Sequence, residues 1–164
     1  MGTIDPTRDI EEMATLCREL LRSHAPDGLV FSAVETLVKA ITNKPSSQPP
    51  PDQAIECLRE VNIRFPDLDN VSITLLFSLY RRFQETQSHA DYEDAISIVD
   101  ADGSFTDPWS VKFASSMAVG IAQCRFYIYG NPEYLEEAIS RIRVYLRTLS
   151  SEDPEHQEMT RDLE

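Results

Sequence analysis

Apolar residues recur along this chain at helical spacing. Over 29–41, 71–83 and 111–126 they fall at i, i+3 or i+4, and i+7: Val30, Val34, Leu37 and Ile41; Leu76, Leu79 and Phe83; Val119, Ala122 and Phe126. A stripe of that period buries one side of a helix, and no strand-rich region accompanies it. Between these stretches lie others of a second kind, in which an acidic or amide residue precedes a small or apolar one and a mostly apolar helix follows: "DIEEMATLCREL", "PDQAIECLREV", "DYEDAIS" and "EYLEEAIS". Calling these B and the former A, the pattern predicts helices B 9–23, A 29–43, B 52–64, A 70–87, B 90–100, A 110–129 and B 132–149. The tail "PEHQEMTRDLE" reads as the first turns of an eighth.

The B segments are one phrase repeated. Ala95 in "EDAIS" and Ala138 in "EEAIS" stand 43 residues apart, Ala54 lies 41 residues before Ala95, and a further step of 41 reaches Met13. A second marker keeps the same period, with Pro26, Pro66, Pro108 and Pro154 following the anchors by 12 to 16 residues. Proline suits the start of a helix and stops the one before it, so each marks a turn between helices. Each repeat is then a helix A, a turn and a helix B. An alanine at the anchor lets helix A of the same repeat approach closely, while Ile55, Ile96 and Ile139 fill the space beside that contact. A hairpin of this kind cannot bury its own apolar stripe, and stacked hairpins share one core. The segment at 43–52 ("NKPSSQPPPD" and its flanks) is the low-complexity stretch; its three consecutive prolines favour an extended, exposed and flexible loop.

"YLEEAISRIRVYL…DPE" and "DYEDAISIVD…DPW" resemble the second helix of the tetratricopeptide repeat family, with its Tyr-x-x-Ala-like opening, small close-packing residue and trailing proline. The resemblance spans about residues 9–164, at a period of 41–43 instead of the family's usual value of about 34, and the Trp-x-x-Leu-Gly signature of helix A is absent. The longer period resembles divergent arrays of fungal multi-repeat proteins, often found beside CHAT-type protease domains. The fold implied is an all-α, right-handed superhelical stack of antiparallel helix hairpins, a single α-solenoid domain over 1–164. In that family the A helices line the concave face and hold a peptide or partner helix. Candidate binding positions are Glu35, Lys39, Tyr80, Arg81, Gln84, Gln123, Tyr127 and Tyr129, with Tyr and Arg the usual interface anchors. The family's chaperone carboxylate clamp needs lysines and asparagines on successive A helices. The asparagines here (Asn43, Asn62, Asn70, Asn131) read as helix-end or B-helix residues.

Composition narrows the function. A net charge of −13 with three lysines argues against nucleic acid and anionic membranes, and for a neutral to basic protein partner. Cys17, Cys57 and Cys124 sit in helical apolar patterns, as buried thiols of a reducing, cytoplasmic compartment do. His24, His89 and His156 are expected in inter-helix turns without metal-ligand spacing, and the acid pairs Glu11-Glu12, Glu93-Asp94 and Glu136-Glu137 at B-helix starts, where the dipole favours them. No phosphate loop, nucleophile elbow or dinucleotide fingerprint is present. The expectation is a non-enzymatic scaffold with no cofactor and no metal. Its rivals are a repeat arm of a larger signalling or protease-regulating protein, for which Met1-Gly2 and Leu163-Glu164 would be cloning scars, and a module self-associating through open solenoid ends.

Overall fold

A computed structural model of the chain describes residues 6–43, 49–101 and 105–162. Regular structure among them is all helical: α1 (Pro6–Arg22), α2 (Asp27–Thr42), α3 (Asp52–Arg64), α4 (Asp69–Thr86), α5 (His89–Asp100), α6 (Pro108–Tyr129), α7 (Pro132–Leu146) and α8 (Pro154–Asp162). The seven expected helices are present within a few residues, and the tail completes an eighth. Residues 44–48 of the loop expected at 43–52 lie outside the described residues, as do Met1, Gly2, Leu163 and Glu164. The loop's proline end is not exposed as expected: Pro50 is buried and Pro51 forms the cap of α3.

Local chemistry sets the helix ends. Pro108 follows Asp107, whose carboxylate accepts from the Trp109 and Ser110 amides at 3.0 Å each; Asn131 and Asp153 accept likewise from Glu133 and Glu155. These caps satisfy amides that the first turn leaves without partners. Pro26 immediately precedes α2. Pro66 departs from the pattern: it sits in the turn, three residues ahead of α4. The A helices α4 and α6 end alike, at Gln87 (φ 56°) and Gly130 (φ 65°), each amide bonding back to Phe83 or Phe126, 43 residues apart. The expected acid pairs fall in the second helical turn, where the dipole has faded; first-turn acids are instead Asp9, Asp27, Asp52, Asp69, Asp91, Glu133 and Glu155. His24 occupies a turn, but His89 opens α5 and His156 lies within α8.

The repeat register survives in the packing. Ala54, Ala95 and Ala138 are all buried, and one core runs from Ile10 to Ile121. A smaller cluster under α8 joins Val119, Tyr145 and Leu149. The close approach at Ala54 differs from expectation. α2 and α3 are not closely packed, because the long connection lets α3 swing onto α1. There Thr15 donates to Gln53 at 3.4 Å, and the free thiols of Cys17 and Cys57 are both buried in the seam. The A helices α2, α4 and α6 pack side by side in order. Asp69 at the head of α4 accepts from the Thr106 and Asp107 amides, so α4 and α6 start together.

Beyond α3, B helices meet mainly through long polar side chains. Arg59 of α3 pairs with Asp94 of α5, and Arg141 of α7 with Asp100 of α5. Asp91, only 3% exposed, is held by Arg82, whose Nε donates at 2.8 Å. The Arg125 guanidinium lies 3.9 Å from both the Tyr92 and Tyr134 rings and donates to Glu137, which also accepts from the Tyr92 hydroxyl. Burial, then Glu137, raises the Tyr92 hydroxyl; burial, then Glu155, pushes Tyr145 up to about 12. Both phenols are therefore stabilised in their neutral form. For Tyr145 the stability this gives is complete below the ordinary tyrosine value of 10.0 and is lost as pH rises through about 12, while Tyr92 holds its proton to higher pH still. In an alkaline titration, phenolate absorbance from these two tyrosines should appear only together with loss of helical circular dichroism. Their ionisation with helix content intact would contradict this packing.

Candidate interaction face

Three helices of one row leave adjoining strips of side chain uncovered. On α4, Asn70, Phe77, Arg81 and Gln84 recur at helical spacing along one side; on α6, Trp109, Phe113, Gly120, Gln123 and Tyr127 do the same. The strips touch at Gly120 and Tyr80, where a methyl group on Gly120 would meet the tyrosine hydroxyl at an ordinary contact distance of 3.5 Å. On α2, Phe31 and Glu35 join Leu68, Asn70 and Val71 around a shallow cleft that continues the strip. Polar and aromatic residues stay outward because the opposite sides of these helices carry the apolar stripe that forms the core.

The chemistry of the face is aromatic and only weakly charged. Trp109 is 63% exposed and stacks on Phe113 with ring centroids 5.2 Å apart. The Arg81 guanidinium lies 4.5 Å from the Phe77 ring centroid, a cation–π contact. Glu35 and Lys39 pair at 2.6 Å one turn apart on α2, both exposed, and Lys39 holds the Glu35 carboxyl below its usual range.

Comparisons with protein-family models, curated proteins and solved structures found no match.

Of the residues named from sequence, Glu35, Arg81, Gln84, Gln123 and Tyr127 share this face, with Tyr127 80% exposed. Lys39 stands at its edge. Tyr80 is half-buried between α4 and α6, its hydroxyl raised chiefly by burial; it shapes the floor more than it projects. Tyr129 points the other way, donating to the Gln87 carbonyl at 2.7 Å and meeting Tyr134 edge-on at 6.0 Å. Sequence reasoning missed Phe31, Phe77, Trp109 and Phe113. The signal was there, in aromatic residues on the polar side of an A helix: Phe77 four residues before Arg81, and Trp109 four before Phe113. Among the described residues, no three His, Cys, Asp or Glu side chains are grouped to hold a metal, and no helix is long and apolar enough to cross a membrane.

Proposed function

We propose that this chain is a tetratricopeptide-like α-solenoid that works as a protein-interaction scaffold. A short segment of a partner lies along the α2/α4/α6 face. The observation that carries this reading is the aromatic and arginine strip on that face: exposed Trp109 stacked on Phe113 on α6, and Arg81 over the Phe77 ring on α4. Exposed aromatic and arginine side chains are what interface anchors are most often made of. The solenoid reading is supported by the order in which helices pack, with α1 against α2 and α3, then α4 against α5 and α6. The net charge of −13 favours a partner segment that is neutral or basic.

The test is a displayed-peptide selection on the whole chain, followed by affinity measurement on Trp109→Ala and Arg81→Glu. Both positions border solvent, so helical content should hold. Selected peptides should lose about tenfold or more in affinity for each variant. They should bind Tyr129→Phe as they bind the parent. Peptides that bind Trp109→Ala and Arg81→Glu undiminished would place recognition elsewhere and sink this reading.

A further inference from the structure

On the outer side of the α1/α2 pair lies an apolar cleft of ≈ 290 Å³, lined by Met13, Leu16, Leu20, Leu29 and Ala33. Leu16 is 51% exposed. The repeat register says what belongs there. Forty-one residues along, the α1 lining positions become Ala54, Cys57 and Val61 on α3, and all three are completely buried. α1 packs on α3, with Cys17 against Cys57, and α4 packs on α3 as well. The cleft is thus a seat shaped for one more B-type helix, in the register α1 takes on α3.

The far end of the chain carries such a helix. α1 meets α3 with Ile10, Ala14 and Cys17 buried and with Arg18 reaching Glu60 at 2.6 Å. The residues 125 positions on are Leu135, Ile139, Ile142 and Arg143 of α7. Leu135 is 41% exposed, and Arg143 is exposed as well. At the register position of Arg143, each earlier B helix uses its residue to reach the next one: Arg18 to Glu60, Arg59 to Asp94, Asp100 to Arg141. Arg143 reaches no carboxylate among the described residues. Beside the cleft, Glu19 holds the register position of Glu60 and is exposed.

We propose that copies of this chain associate head to tail, α7 of one copy seating in the α1/α2 cleft of the next, with Arg143 against Glu19. The occupant is a second copy because both halves of the α1–α3 seam, the apolar series and the arginine–glutamate pair, recur on the two ends of this one chain. The contact is heterologous, so each added copy leaves a fresh end and growth continues past the dimer. The inference rests on the stacked-repeat reading but not on the α2/α4/α6 face, so a failed peptide selection leaves it standing.

Sedimentation velocity on the whole chain, from low micromolar to near-millimolar, should show mass rising with concentration. Leu16→Asp and Leu135→Asp should each be monomeric with helical circular dichroism intact. Their equimolar mixture should form a dimer and stop there, since only one compatible head and tail remain. Arg143→Glu should weaken association roughly tenfold through like-charge contact with Glu19, and Glu19→Arg in the same chain should restore it. The charge variants alter exposed residues only, so they carry the test if either aspartate variant unfolds. A parent that stays monomeric throughout overturns the proposal, as do oligomers indifferent to Arg143→Glu or aspartate variants that fold but do not pair; in those cases the cleft accepts a helix of another protein or of another repeat.

Discussion

Asp91→Ala should remove about 3–5 kcal/mol of stability, as loss of one partner from a buried ion cluster does. Asp91 sits in the first turn of α5, 3% exposed, with both carboxylate oxygens accepting from Arg82 and with Arg59 at 3.7 Å. Arg82 also reaches Asp52 of α3 at 2.7 Å, so one cluster ties α3, α4 and α5 together. Its guanidinium is held charged above its ordinary value, chiefly by the hydrogen bonds it donates to Asp91. With Asp91 gone, the Arg82 charge stays in a largely desolvated site facing only Asp52, whose carboxylate is mostly in water. A loss of that size is a large part of the 5–15 kcal/mol that a domain typically has. Urea denaturation followed by circular dichroism measures it. The paired variant Asp91→Leu with Arg82→Met should recover most of the loss, because it strands no charge. A loss for Asp91→Ala below about 1 kcal/mol, the range of exposed ion pairs, would show that the cluster is solvated in solution.

Ala95→Glu should cost roughly 3 kcal/mol or more, and its effect should be confined to the repeat anchor. Ala95 is 1% exposed at the centre of α5, within the main apolar core, so a glutamate there would carry its carboxylate into that core. The control is five residues earlier. Ala90 lies in the first turn of α5 and is exposed, so Ala90→Glu should change stability by no more than about 0.5 kcal/mol. Thermal or urea midpoints for the two variants decide the matter. Equal effects at 90 and 95 would mean that the alanine phrase reflects helix propensity alone and not a packing contact.

The candidate face was half legible before any coordinates. Arg81, Gln84, Gln123 and Tyr127 could be placed on it by period, since a residue on the polar side of an amphipathic helix has one direction to point. Tyr129 could not, because it follows Tyr127 by two residues and two residues turn a helix by more than half its circumference. Phe31, Phe77, Trp109 and Phe113 were passed over because an aromatic residue in a helix is ordinarily assigned to the core. Only the neighbouring helices show that those sides are left uncovered.

The sequence by itself determined that the chain is helical, where the helices fall, and that Ala54, Ala95 and Ala138 are buried. Apolar period, caps and proline markers act within a few residues, and all of them point the same way. The tertiary structure decided the rest. It set α3 against α1 instead of α2, because a long connection leaves the choice of neighbour to packing. It joined Arg59 to Asp94, Arg82 to Asp91 and Arg141 to Asp100, pairs that lie 9 to 41 residues apart and cannot be chosen among 28 acids by pattern. It also left Leu16 of α1 and Leu135 of α7 exposed, since an apolar period marks one side of a helix but not which neighbour covers it.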